Sequence, residues 1–237
     1  MQVDVSGSPL ASEYASQHGL LDQHILGDGQ PAAVEALKRY FNEDAVQPRY
    51  TGRWFERFAG GGDRPGIANT VTEADVLALN FLSITDLANV AVDTTITYAA
   101  EITELLAQIP ANLAMHDAPW MTYSPGSPAS RLWWLFKRCG GKDRWVTANK
   151  LLARKRPHLL PVYDSQVKAA LDAPRSVWAC LWTWFQADSR RAEAVAKLRD
   201  QAGSIQDISL LRCLDVILWM HATGRTTQPP STSGAPT

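Results

Sequence analysis

The spacing of apolar residues is helical along most of the chain, because they recur at every third or fourth position. The pattern predicts helices at about 31–41, 72–82, 97–109, 131–138, 147–156, 165–171, 174–185, 192–198 and 204–223. Thr72 and Asp75 form a variant of the capping box at the start of the second helix. No segment shows the sustained alternation of a half-buried strand. The sequence therefore predicts an all-α fold of about ten helices.

The two ends of the chain lack this periodicity. Residues 1–30 show little pattern and are predicted to be a loosely ordered leader. Residues 224–237 are rich in Thr, Ser and Pro, a composition typical of a disordered tail. The segment between them, 31–223, is predicted to form one domain or two closely packed lobes, because 46% of the chain is apolar.

The stretch 140–171 concentrates the candidate chemistry. Its helix ends in Arg154, Lys155 and Arg156, where cations interact favourably with the helix dipole, and Pro157 stops it. Asp164 is then a natural N-cap residue for the following helix. One carboxylate is thus expected at a helix start, within a strongly cationic neighbourhood.

Charge is distributed unevenly along a chain whose net charge is −1. Residues 131–168 carry ten Lys or Arg and two acids, a net charge of +8, so the remaining residues sum to −9. Such a region can present one cationic face to a phosphate backbone. It can equally be a solvated helix surface, and the charge count alone does not separate the two.

Cysteine and histidine give no sign of a disulfide framework or of a metal site. Cys139, Cys180 and Cys213 are far apart and odd in number, which favours a reducing compartment. The five histidines lack the H-x-x-x-H spacing of a metal site. Since no apolar run reaches membrane length and no signal pattern is present, we expect a cytoplasmic monomer without metal, cofactor or membrane partner.

Two parts of the stretch 140–171 resemble the motif of the helix-hairpin-helix DNA glycosylases: Val146-Thr147-Ala148-Asn149 and Val162-Tyr163-Asp164-Ser165-Gln166-Val167. This superfamily includes endonuclease III, adenine glycosylase, alkyladenine glycosylase and oxoguanine glycosylase. Its motif has hairpin glycines, a Thr-Ala-rich helix and Val-Asp-Thr-His-Val at a fixed distance. Thr147 and Asp164 are seventeen residues apart, which is the family spacing. The chain is also similar to a family of bacterial proteins that share W-V-T-A-x-K-L-L-A-R-K-R-P and P-V-Y-D.

The resemblance implies a DNA glycosylase, an enzyme that flips a base out of the duplex and breaks its C1′–N bond. Asp164 matches the family aspartate, which stabilises the cationic sugar and orients or deprotonates the attacking water. Double-stranded DNA would then be bound by main-chain N–H groups at the start of the helix and by nearby side chains. The candidate DNA-binding residues are Lys142, Arg144, Trp145, Thr147 and Lys150.

Four departures from the family pattern narrow this expectation. The hairpin reads Lys142-Asp143-Arg144 where the family has Gly-x-Gly. Val146 stands where bifunctional members have a lysine, so the resemblance implies a monofunctional hydrolase without a lyase step. Gln166 replaces the usual histidine, and the iron–sulfur cysteines of some members are absent.

The base pocket is predicted from position and residue chemistry. Tyr163 and Gln166 flank Asp164, and the segment 50–64 combines arginines with aromatics, including Arg53 and Trp54. An unusual pocket with a polar aromatic rim suits a hypermodified base, such as glucosylated hydroxymethylcytosine of phage DNA removed in antiviral defence. The alternatives are repair of alkylated or oxidised bases, a non-catalytic DNA-binding protein and a protein-interaction scaffold.

Overall fold

The computed structural model describes residues 7–42, 50–141 and 143–225. These ranges are helical and contain no strand, so the all-α prediction is confirmed. They contain eleven α-helices: α1 (Ala15–Ile25), α2 (Gln30–Phe41), α3 (Glu73–Asn80), α4 (Ala88–Val92), α5 (Ala99–Ala107), α6 (Pro128–Arg138), α7 (Trp145–Lys155), α8 (Ser165–Ala170), α9 (Val177–Ala187), α10 (Arg190–Gln201) and α11 (Leu210–Ala222). Short 3-10 turns and one π-helical turn lie between some of them.

The N-terminal segment is more ordered than its pattern indicates. α1 lies within residues 1–30 and buries Leu21. Its polar side chains bond to α9, since His18 Nε2 lies 3.1 Å from Thr183 Oγ1 and Asp22 Oδ1 accepts from Trp184 Nε1 at 2.7 Å. The prediction of a loosely ordered leader is therefore wrong for α1, because tertiary hydrogen bonds leave no periodic signal. Residues 1–6 of the leader and 226–237 of the tail lie outside the described residues.

Five of the eleven α-helices, α3, α6, α8, α9 and α11, begin with a side-chain N-cap. The capping box before α3 is confirmed, because Asp75 N donates to Thr72 Oγ1 at 3.3 Å and Thr72 N donates to Asp75 Oδ2 at 3.0 Å. At the start of α6 the hydroxyl of Ser127 accepts from Ser130 N at 3.2 Å. The other six begin without a side-chain cap from the described residues, and α7, which starts at Trp145, is one of them. The first N–H groups of α7 therefore keep their capacity to bind an anion.

The two helices α6 and α7 pack against each other as a helical hairpin. Arg144 N donates to Lys137 O at 3.0 Å and closes the connection between them. Gly140 and Gly141 have φ angles of 83° and 73°, a left-handed conformation that glycine adopts without strain. α7 also packs against α3, while α11 contacts α2 and α8.

α11 is largely buried beside the candidate site, since nine of its thirteen residues are buried. Its apolar side chains belong to the cluster of buried residues that extends along the chain from Tyr14 to Met220. Arg212 and Asp215 are buried within the same helix, with exposed fractions of 3% and 4%. None of the helices in the described ranges has the length and apolar content that crossing a lipid bilayer requires.

Candidate active site

Asp164 is the N-cap residue of α8 and lies in the wall of a cavity. Its Oδ1 accepts hydrogen bonds from the backbone N–H groups of Gln166 at 3.0 Å and Val167 at 3.1 Å. The predicted N-cap role is therefore confirmed. Only Oδ1 is used for capping, so the second oxygen, Oδ2, remains available to the cavity.

Lys150 lies beside that second oxygen. Its Nζ is 3.8 Å from Asp164 Oδ2 and donates to Leu82 O at 2.8 Å. At 3.8 Å the contact with Asp164 is an electrostatic attraction rather than a hydrogen bond. Burial lowers the pKa of Lys150, and the charge of Asp164 opposes this shift. We expected Lys150 to face a phosphate, but the structure places it inside the cavity, because this face of α7 is buried.

A second pair of opposite charges in the cavity wall comes from α11. Arg212 Nη1 donates to Asp215 Oδ2 one turn along the helix, and Arg212 Nη2 donates to Tyr40 Oη at 2.6 Å and Gly52 O at 3.0 Å. Burial raises the pKa of Asp215 to about 7, against the opposing charge of Arg212. The charge of Asp164 adds to this rise, so the two carboxylates interact electrostatically.

The cavity has a volume of 570 Å³. Its wall is built from α7, α8 and α11 and from the segments 50–52 and 81–84. Tyr40 and Tyr50 stack with ring centroids 5.0 Å apart, and Trp219 meets Tyr50 edge-on at 5.9 Å. The volume lies within the range of roughly 300–1,000 Å³ found for small-molecule sites. Aromatic faces beside charged groups suit a flat ligand that carries polar substituents.

The predicted DNA-binding side chains are not all on the surface. Lys142 lies outside the described residues. Arg144 pairs with the carboxylate of Asp86 and also donates to its backbone carbonyl at 3.2 Å. Arg144 and Trp145 are partly exposed, whereas Thr147, like Lys150, is buried. The side chain of Thr147 therefore has little surface with which to contact DNA.

The hairpin differs from the expected arrangement at its glycines. Gly140 N donates to Asp93 Oδ2 at 2.7 Å, so this N–H group is already bonded. Asp143 pairs with Lys137 at 3.2 Å. The N–H groups that begin α7 at Trp145 have no side-chain cap among the described residues. Any anion-binding capacity of the hairpin lies at the start of α7 rather than at Gly140.

The three cations at the end of α7 are in the interior. Arg154 Nε and Lys155 Nζ each bond to the carboxylate of Asp75 at 2.9 Å. The side chains of Arg154, Lys155 and Asp75 are 0% exposed. Arg154 and Lys155 also donate to backbone carbonyls between residues 55 and 67, and Arg156 donates to those that end α5. Since Lys150 is buried as well, the charge of residues 131–168 does not form one cationic face, which corrects that interpretation.

The predicted base-pocket residues separate into three places. Gln166 lines the cavity with Asp164, but Tyr163 lines a different cleft of 660 Å³, because neighbouring residues of an extended segment face opposite sides. Arg53 and Trp54 line neither space. Arg53 is 7% exposed and stacks 5.4 Å from the ring of Trp54, which is 41% exposed. Their segment contributes residues 50–52 to the cavity instead.

The contribution of α11 was missed from the sequence. The available signal was the pair Arg212 and Asp215, two charges three positions apart in an otherwise apolar helix. Buried charged side chains of this kind need bonding partners, and a buried titratable group with a specific charged partner often marks a functional site. Tyr40 gave no such signal, because it looks like any core residue of α2 and reaches Arg212 only through tertiary packing.

Comparison with known proteins gives a family but no relative of known activity. Residues 33–222 match DUF6308, described as a family of unknown function. No curated protein and no solved structure matches the chain. The match extends from α2 to α11 and so includes Lys150, Asp164, Arg212 and Asp215. The chain therefore belongs to the DUF6308 family.

Proposed function

We propose that the chain is a monofunctional DNA glycosylase with a two-lobed helix-hairpin-helix fold. The observation that carries the proposal is the carboxylate of Asp164. One of its oxygens caps α8, and the other faces a cavity of 570 Å³ at 3.8 Å from Lys150 Nζ. Further support comes from the resemblance described above, which rests on the helical hairpin of α6 and α7 and on the separation of seventeen positions between Thr147 and Asp164.

The role of Asp164 follows from the charge that develops during base removal. The C1′–N bond of a flipped nucleotide breaks, and its electron pair leaves with the base. The sugar becomes cationic at C1′, and a carboxylate in a site of limited solvent access stabilises that charge. Water then bonds to C1′, and the proton it loses passes to Asp164 and finally to the departing base. The products are a free base and an abasic site.

Lys150 has an electrostatic role in this scheme. Its ammonium group offsets the charge of Asp164 before DNA binds. A lysine in the cavity also gives a direct test of the monofunctional assignment, since a lyase would form a Schiff base with the opened sugar. Borohydride reduction is expected to trap no covalent complex with DNA, and a trapped complex that is lost in Lys150→Met would contradict the assignment.

DNA is proposed to bind at the start of α7. The N–H groups there have no side-chain cap from the described residues, and the positive end of the helix dipole favours a phosphate. Arg144 is partly exposed at the same position. Affinity should therefore fall as the salt concentration rises, because each phosphate contact releases counterions.

An enlarged base is the substrate that best fills the cavity. We propose a hypermodified cytosine of phage DNA, such as glucosylated hydroxymethylcytosine, and hence a role in antiviral defence. The faces of Tyr50 and Trp219 suit a sugar ring, and Thr51, Gln166 and Arg225 bring polar groups to the same wall. Alkylated or oxidised bases, the substrates of ordinary repair, would fill less of the 570 Å³.

A base-release screen tests the proposal. Duplexes with plain, alkylated, oxidised or glucosylated hydroxymethylated bases are incubated with the protein, and abasic sites are detected by alkaline cleavage. The expected result is cleavage of the duplex that carries the enlarged cytosine, without cleavage of plain DNA. Salt-sensitive binding without abasic sites in any duplex would indicate a non-catalytic DNA-binding protein. Absence of salt-sensitive binding would indicate an interaction scaffold.

A further inference from the structure

A second carboxylate, that of Asp215, is open to the cavity. Its Oδ2 accepts from Arg212, whereas Oδ1 accepts no hydrogen bond from the described part of the chain. The residue is 4% exposed and lies in the cavity wall. Asp215 Oδ1 is therefore an acceptor without a partner among the described residues, and it is expected to accept a hydrogen bond when a ligand enters the cavity.

Arg212 fixes the direction of that free oxygen. Its guanidinium donates to Tyr40 Oη at 2.6 Å and Gly52 O at 3.0 Å, and it lies over the rings of Tyr40 and Phe55 at 5.2 and 5.7 Å. An arginine held by four groups cannot follow a rotating carboxylate. Asp215 therefore presents one acceptor oxygen in a defined position, as ligand recognition requires.

We infer that Asp215 recognises the ligand by accepting a hydrogen bond from an exocyclic amino group, so that the cavity takes amino-bearing bases in preference to uracil, thymine or hypoxanthine. The identification of the ligand as a base rests on the function proposed above. An aspartate or glutamate acceptor is the usual partner of the cytosine amino group. In keto bases the ring N–H lies beside exocyclic oxygens, whose lone pairs would approach the carboxylate.

The substitution Asp215→Asn inverts this recognition. Arg212 Nη1 is a donor and needs an oxygen, so it orients the new amide with its oxygen where Oδ2 was. The amide NH₂ group then occupies the position of Oδ1. The cavity would present a donor in place of an acceptor, with almost no change in side-chain shape.

Calorimetric titration of the full chain with free deoxycytidine and deoxyuridine tests the inference. The wild type should bind deoxycytidine at least about tenfold more tightly, and Asp215→Asn should reverse this preference. Asp200→Asn, the same change at an exposed position of α10, should keep the wild-type ratio. Equal affinities in the wild type, no detectable binding, or an unchanged ratio in Asp215→Asn would overturn the inference. Nucleoside binding needs no bond cleavage, so this test and the base-release screen can fail independently.

Discussion

Two groups of charged side chains meet α7, one at Lys150 in the cavity and one at Arg154 and Lys155, and they differ in how completely they are bonded. At the end of the helix, both oxygens of Asp75 accept from Arg154 and Lys155, whose other donors reach backbone carbonyls. In the cavity, Asp164 Oδ2 and Asp215 Oδ1 accept no hydrogen bond from the described residues. Burial alone therefore does not mark a functional charge. Under the proposed function, the charges that act on a ligand are those left incompletely bonded in a cavity.

The physical reason lies in the cost of burying charge. A buried ion is tolerated when partners replace its lost hydration, and the Asp75 cluster does this within the protein. Its cations thereby tie the segment 55–67 to α7. The cavity group lacks some of these partners, which a substrate can supply. The first group is expected to control stability and the second to control activity.

The largest expected effect comes from breaking the fully hydrogen-bonded cluster of Asp75, Arg154 and Lys155. Asp75→Ala leaves Arg154 and Lys155 buried without their carboxylate, so the free energy of unfolding should fall by about 3–5 kcal/mol. Urea denaturation measures the loss. Asp117→Ala removes a mostly exposed carboxylate and should change stability by no more than about 0.5 kcal/mol. Similar losses in both variants would contradict the structural role of the cluster.

The same substitution at two lysines of α7 compares the groups directly. Lys155→Met removes a fully hydrogen-bonded partner of Asp75 and should lower the free energy of unfolding by about 3 kcal/mol or more. Lys150→Met removes a cation that makes one hydrogen bond, to Leu82 O, so stability should change by about 1 kcal/mol or less.

Activity should show the opposite order for these two variants. Base release by Lys150→Met should fall about tenfold, because Asp164 Oδ2 loses the neighbouring cation that orients it. Lys155→Met should retain the wild-type rate under conditions where it is folded, measured in single-turnover assays. A Lys150→Met variant that is strongly destabilised and fully active would remove the distinction between the two groups.

A pH-dependent effect on stability is expected from Asp215. Burial raises the pKa of Asp215 to about 7 in the folded protein, and the charges of Arg212 and Lys150 oppose this rise. The charge of Asp164 adds to the rise, and Tyr40 lies in the same cavity wall. The folded state then binds a proton more tightly than the unfolded state, so the free energy of unfolding contributed by Asp215 falls as the pH rises from about 4 to about 7. Asp215→Asn should remove this decline, measured by urea denaturation across that range. Parallel curves for the two proteins would show that Asp215 does not titrate there.

The smallest effect is expected at Tyr163. Its hydroxyl is buried without a partner among the described residues, and its ring lines the separate cleft. Tyr163→Phe should therefore change stability by less than about 0.5 kcal/mol or slightly increase it. Base release should stay within about twofold of the wild type. A large loss of activity would place Tyr163 in the pocket after all, as position alone suggested.

The sequence predicts the helices well, because their signals are local. The capping box of Thr72 and Asp75 and the N-cap at Asp164 depend on residues within one turn, and both are present as expected. α1 was missed, because Asp22 and its neighbours are held by bonds to a helix about 160 positions away.

The candidate site was predictable only in part. Asp164 and Gln166 share the cavity as expected, since both belong to one short segment. The interior position of Arg154, and the meeting of Tyr40 with Arg212, depend on tertiary packing. A charge count cannot tell a surface cation from one that is bonded to backbone carbonyls inside the fold.

The central claim, that the free oxygen of Asp164 acts on DNA, is tested by separating its charge from its capping role. Asn and Ser are also good N-cap residues, so Asp164→Asn and Asp164→Ser should both preserve α8 and the melting temperature. Single-turnover base release from the substrate found in the screen is the decisive measurement. Both variants should lose at least about 100-fold in rate while keeping DNA affinity. Full base release by Asp164→Asn would contradict the account.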